Sequence, residues 1–243
     1  MLMLAPALLL QTALAANVVA PRTVPFGIGE RLEYQGRWNF LKVGTAVLEV
    51  ETVTPERGVP SWHFTFTSSV SVPLYKNTTV ITSWTGVEDF ISRRFTKAID
   101  ENGKSRRETF RIYPDSGFFR RNDNTETKPT PKTPLDDVAF FYWIRTVPLE
   151  LGKTYRYENY FRAEKNPVIV KVEKRGEKEM PDGTKVKAVL LRPIVDEENG
   201  MFSKKSDAKL WLTDDARRLP LEIESTYNFG TVKLVLTKVT AGS

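Results

Sequence analysis

The chain has no cysteine among its 243 residues. That absence removes disulfides, thiolate nucleophiles, a lipid-bearing cysteine at the mature amino terminus and zinc sites built on sulfur. There is one histidine, His63, so any Ser-His-Asp triad must run through it. No charge precedes Arg22, and the opening stretch MLMLAPALLLQTALA ends in Ala13-Leu14-Ala15, the small-x-small pattern that signal peptidase accepts. Residues 1–15 are therefore expected to be a signal peptide, although the usual opening Lys or Arg is missing. A membrane anchor would need about 20 apolar residues, and Pro6 and Gln11 interrupt this shorter run. No later stretch is apolar enough to span a bilayer, so the expected location is the periplasm.

Positive charge is in slight excess, 36 basic against 30 acidic residues, for a formal charge of +6 and a pI of about 9.4. It is dispersed in pairs such as Arg93-Arg94, Arg106-Arg107, Arg120-Arg121 and Lys204-Lys205. Such pairs suit an anionic polymer or a lipid headgroup, but a solvated strand face needs charge anyway. Nucleic acid is not an expected partner, since neither an RNP-type aromatic motif nor zinc-finger spacing occurs.

Period-two alternation dominates the rest of the chain, as it does where strands bury one face. Leu32, Tyr34 and Trp38 alternate with Arg31, Glu33, Gln35 and Arg37; Ala46, Leu48 and Val50 repeat the pattern; Trp62, Phe64 and Phe66 share a face opposite His63, Thr65 and Thr67. Further strands are expected over residues 79–85, 90–99, 107–113, 154–161, 168–173 and 186–195, with turns at Asp100 to Gly103, Pro114 to Gly117 and Pro181 to Gly183. The pattern describes an antiparallel meander. Asn122 to Pro134 reads as an exposed loop, and the run that follows, LDDVAFFYWIRTV, is apolar without alternation. Thr133 as cap, Pro134 at the first helical position and Asp136 and Asp137 in the first turn predict a helix over Pro134 to Thr146.

Candidate chemistry is sparse. Asp214 and Asp215 sit between the inward sets Ala208, Leu210, Leu212 and Leu219, Leu221, Ile223, so Asp214 to Arg218 reads as a hairpin loop. A glycosidase pair would need carboxylates facing each other across a cleft, not neighbours on a turn. His63 lies on a polar face with Ser69 and Ser71 several residues away. Ser206-Asp207-Ala208-Lys209 matches the S-x-x-K string, but residues three apart on a strand point to opposite faces. Gly27-Ile28-Gly29 lacks the third glycine of a dinucleotide loop, its place being taken by Leu32. Neither Asn122 to Glu126 nor Asp196 to Asn199 follows the calcium-loop string. No catalytic residue, metal or cofactor is expected.

Several pieces taken in order carry a resemblance: F-x-x-G-E-x-L-x-Y at Phe26 to Tyr34, Gly44-x-Ala46-x-Leu48, DDVAFFYWIR at Asp136 to Arg145, and WLTDDARRLPLEI followed by Gly230-Thr231-Val232. Together they resemble the bacterial family known as domain of unknown function 3108, from about Phe26 to Leu236. The resemblance implies an exported, β-rich envelope protein and supplies no catalytic residues. A looser similarity in layout, to periplasmic lipoprotein carriers with an aromatic-lined open barrel, rests on architecture alone.

The expected fold is all-β: an antiparallel β-barrel or curved β-sandwich with one substantial helix packed on its apolar face. Residues 16–25 are read as an exposed amino-terminal segment and 26–240 as a single β-rich domain. The expected function is non-enzymatic binding of an apolar chain, lipid or polypeptide segment, with Trp38, Phe64, Phe66, Trp84, Phe141 and Trp143 as candidate lining. The alternatives are an envelope adaptor with a solid core, whose basic surface meets an anionic polymer or a partner protein, and a hydrolase of envelope glycans.

Overall fold

The structure is a computed structural model and describes residues 23–198, 201–227 and 230–243; the expected signal peptide, 1–15, lies outside them, as do residues 16–22. In chain order the strands are β1 (Arg31–Trp38), β2 (Leu41–Glu56), β3 (Val59–Val72), β4 (Tyr75–Gly86), β5 (Ser92–Glu101), β6 (Lys104–Tyr113), β7 (Phe118–Arg121) and β8 (Lys128–Pro129). A helix α1 (Ala139–Trp143) follows, then β9 (Thr154–Tyr157), β10 (Val168–Glu179), β11 (Lys185–Ile194), β12 (Lys209–Thr213), β13 (Pro220–Tyr227) and β14 (Gly230–Thr240). Among the described residues no helix is long and apolar enough to cross a membrane.

All 14 strands join one sheet, in the order β8-β7-β6-β5-β4-β3-β2-β1-β14-β13-β12-β11-β10-β9. Two antiparallel meanders are therefore stitched together where the last strand pairs with the first, Leu32 opposite Val239 and Gly36 opposite Leu234. Alternation decides which face is covered. Leu48, Phe66, Ile81 and Lys97 stand directly opposite one another across β2 to β5 and so share the inner face. Where a bulge inserts a residue the parity changes: the slip between Trp84 and Thr85 leaves Arg93 unopposed, which lets both Ser92 and Phe95 be buried.

The sheet curls until its ends meet. Phe161, just before β10 at one end, lies 5.7, 5.3 and 5.2 Å from the rings of Phe95, Phe110 and Phe119 at the other. The gap between β8 and β9 is closed without a strand pair. Leu135 and Tyr160 form a parallel bridge, the Leu135 N–H donates to the Asn159 carbonyl at 2.5 Å, and the Thr130 hydroxyl donates to the Phe161 carbonyl at 2.6 Å.

The segment from Leu135 to Val147 runs inside this barrel as a plug, with Asp136, Ala139 and Ile144 fully buried. The expected helix over Pro134 to Thr146 is corrected to the five residues of α1. Pro134 is not helical, because its carbonyl accepts from Ser92 N–H at 2.8 Å, and Leu135 is extended in the bridge to Tyr160. Val138 is the cap residue, and the side chain that meets the backbone ahead of it is that of Asp136 rather than Thr133: its Oδ1 accepts from the N–H groups of Val138 and Ala139, both at 3.0 Å. The far end tightens into i to i+3 bonds, Arg145 N–H to Tyr142 O and Thr146 N–H to Trp143 O. An apolar run that fills a barrel is held by surrounding side chains and needs little helical length of its own.

Candidate functional site

Most of the interior is filled. Phe64 stacks on Tyr142 of the plug at 4.0 Å, and Phe26 meets the edges of Phe64 and Tyr142 at 5.7 and 5.1 Å. Between the plug and β3 to β5, however, a cleft of about 360 Å³ remains, within the usual range for a small-molecule site. Its apolar lining includes Phe66, Ile81, Ile99, Phe141, Met201 and Phe202. Phe202 leans on Phe141 at 5.4 Å, so the connection between β11 and β12 forms one wall. Lys97 enters the lining from β5 because strand parity places it beside Ile81; among the described residues it is in no ion pair.

An acidic group forms the polar wall. Tyr160 Oη lies 2.9 Å from Asp137 Oδ1 and 3.1 Å from Glu197 Oε1, and Arg162 Nη1 donates to that same Glu197 oxygen at 2.9 Å. Burial, and next the charge of Asp137, raise the Glu197 carboxyl above its ordinary value. Burial also pushes the Tyr160 phenol well above its usual range, so it stays a hydroxyl and can donate to only one of the two carboxylates at a time.

Behind the cleft lies a buried polar ladder. Ser83 donates to Asp136 Oδ2 at 2.6 Å and sits 2.8 Å from the Thr85 hydroxyl; Thr85 and Ser92 are 3.3 Å apart; the Asp136 N–H donates to Ser92 Oγ at 3.0 Å. These hydroxyls satisfy a carboxyl that no water reaches, and they tie the plug to β4 and β5.

At the other end of the plug three of the sequence motifs meet. Arg145 grips Glu30 with both terminal nitrogens, at 2.6 and 2.9 Å, and also donates to the carbonyls of Pro25 and Arg217. The two side chains are 1% and 6% exposed. Arg218 donates to the carbonyls of Arg145 and Val147. Asp215 shapes the turn that presents these arginines: its Oδ1 accepts from the Thr213 hydroxyl at 2.6 Å and from the N–H groups of Arg217 and Arg218, both at 3.1 Å. Asp214 pairs outward with Arg175 at 2.7 Å. The adjacent aspartates thus build a hairpin loop.

The expected lining residues divide between several places. Phe66 and Phe141 come together in the cleft, while Phe64 belongs to the packed interior. Trp143, 8% exposed, meets Tyr157 edge-on at 4.6 Å. Trp38 lies at the end of β1 and is 36% exposed. Trp84 is on the outer face, beside His63 at 4.7 Å and under the Arg94 guanidinium at 3.5 Å. His63 pairs with Glu51 at 2.9 Å, and its partial burial lowers its pKa. Ser206 precedes β12 rather than lying within a strand, and donates to the carbonyls of Met201 and Ser203, while Lys209 pairs with Glu224. In the sequence Asp137 is legible only as a first-turn acid and Glu197 only within the Asp196 to Asn199 loop, while Lys97 and Tyr160 are not singled out; the parity of β5 carries a signal for Lys97 alone.

These features define a class: a β-barrel-like protein plugged by its own mid-chain segment, with an amphipathic cleft beside the plug. The chain belongs to the family described as Protein of unknown function (DUF3108), which matches residues 33–237. Among solved structures it is similar to a beta-barrel-like protein of domain of unknown function DUF1849 from Brucella abortus, at 10% identity and a TM-score of 0.54, over 91% of this chain and 100% of that one. That likeness concerns the fold. No curated protein matches the chain.

Proposed function

We propose that the protein is a non-enzymatic, exported binding protein of the cell envelope that takes an apolar chain, lipid or polypeptide segment, into the cleft beside the plug. The observation that carries this reading is the cleft itself, apolar on its Phe66, Ile81, Phe141 and Phe202 side and polar where Lys97, Asp137 and Glu197 line it. That combination suits a chain that is apolar along its length and polar at one end. Native mass spectrometry after gentle extraction tests it: an apolar ligand should accompany the protein, and filling the cleft by Ile99→Trp should weaken its binding roughly tenfold, about 1.4 kcal/mol. Protein that emerges ligand-free and takes up neither fatty acid, phospholipid nor an apolar peptide would remove the proposal. The intact mass of the mature chain, beginning after Ala15 if the export reading holds, checks the compartment.

A second reading, a glycan hydrolase, has one observation in its favour, the paired carboxylates Asp137 and Glu197 at the cleft wall. Both lie against one phenol, and Glu197 is also engaged by Arg162. They are held as acceptors in a network instead of facing a scissile bond from two sides, which favours binding.

A further inference from the structure

Two turns at one end of the barrel carry side chains that turns rarely carry. β1 and β2 reverse through Asn39 and Phe40, between the paired Trp38 and Leu41. β3 and β4 reverse through Pro73 and Leu74, between the paired Val72 and Tyr75. Because β2 and β3 are neighbours, with Gly44 opposite Val70, both turns emerge side by side. Phe40 is 86% exposed and Leu74 101%, with exposed Trp38, Leu41 and Tyr75 beside them. Scattered apolar residues on a surface need no explanation, but a contiguous protruding group does.

Leu74 is disfavoured there on two counts. Its φ of +66° is the left-handed conformation that a turn ordinarily gives to glycine or asparagine, and its side chain is wholly in water. Around these tips the surface is cationic. Arg37 and Lys42 flank the first, Lys76 follows the second, and Lys104 follows the adjoining β5–β6 turn, whose Asn102 N–H donates to the Lys76 carbonyl at 2.9 Å. All four are exposed, and among the described residues none is in an ion pair. The nearby acids are engaged: Asp100 accepts from the Ser105 hydroxyl at 2.6 Å, and Glu101 lies against the Tyr75 phenol.

We propose that this end of the barrel docks on an anionic lipid bilayer, with Phe40 and Leu74 entering the boundary between headgroups and acyl chains and Arg37, Lys42, Lys76 and Lys104 meeting lipid phosphates. The chemistry is complementary: a bilayer offers apolar surroundings to the tips and negative charge to their rim. Protruding tips suit a soft surface that yields to them. A partner protein would need a preformed cavity for each.

The absence of cysteine makes the test direct. In the full-length chain, Phe40→Cys and Leu74→Cys, and at the opposite end Ser116→Cys in the β6–β7 turn, each accept a single environment-sensitive fluorophore. With phosphatidylglycerol vesicles the labels at 40 and 74 should shift to the blue and brighten, less so as salt is raised, while the label at 116 should not respond. Adding Lys42→Gln and Lys76→Gln should weaken vesicle binding roughly thirtyfold. No response at 40 and 74, an equal response at 116, or an equal response to phosphatidylcholine vesicles would each overturn the proposal. All three positions are exposed turn residues, so the variants retain the fold. The labels report immersion and not cleft occupancy, which keeps this result separate from the fate of the binding proposal.

Discussion

Asp136 shows what a single buried carboxyl does to the rest of the molecule. Burial raises its pKa from 3.8 to about 6, against the lowering pull of the hydrogen bonds from Ala139, Ser83 and Ser92. The unfolded chain therefore releases this proton first as pH rises. The folded state loses stability between about pH 4 and pH 6, on the order of 3 kcal/mol once the loss is complete. Asp136→Asn keeps an acceptor for the Val138 and Ala139 N–H groups and can donate to Ser83. The variant is expected to melt above the wild type near neutral pH and to converge with it below about pH 4. Thermal unfolding across a pH series checks this, and a Tm difference that does not change with pH would contradict it. The sequence places Asp136 in the first turn of a helix, whereas it stands ahead of α1 and accepts from the Val138 and Ala139 N–H groups. Its burial was not legible, because nothing local says that Ser83, Thr85 and Ser92 would supply a hydroxyl lining 44 to 53 residues away.

At the scale of the element, the plug is pinned at both ends by polar groups and packed between them by rings. Glu30 and Arg145 make the lower pin. Glu30→Gln leaves a guanidinium buried without its counter-charge, which costs about 3–5 kcal/mol in comparable sites; Glu30→Gln with Arg145→Met should cost less than the single change. Urea denaturation midpoints measure the order, and a single variant as stable as wild type would show that the pin does not hold the plug. The strands themselves were readable, since alternation and turn residues placed β1 to β6 and the β12–β13 loop. β7 and β8 were missed because Phe118 to Arg121 is short and Lys128–Pro129 is shorter still. The helix was overestimated because an apolar run with acids at its start satisfies every local helix signal. Only the bridge from Leu135 to Tyr160 and the Pro134 carbonyl bond withdraw its first turn.

For the molecule as a whole, the two sheet ends are joined by the Phe161 ring, by the Arg162 guanidinium over Phe110 at 5.4 Å and by the hydrogen bonds of Leu135 and Thr130. Phe161→Ala should remove the shared neighbour of Phe95, Phe110 and Phe119 and cost roughly 3–5 kcal/mol, read as a lower denaturation midpoint; a change under about 1 kcal/mol would show that the ends do not depend on it. The meander order was accessible from turn spacing, whereas the pairing of β1 with β14 carries no local signature, its partners standing some two hundred residues apart. That pairing has a consequence for how the polypeptide is made. A strand that waits for its final neighbour presents open hydrogen-bonding groups for as long as the chain is incomplete. The sheet thus becomes continuous only when β14 arrives. A copy cut short by even that one strand would keep two adhesive margins, marking it for aggregation or for proteolysis.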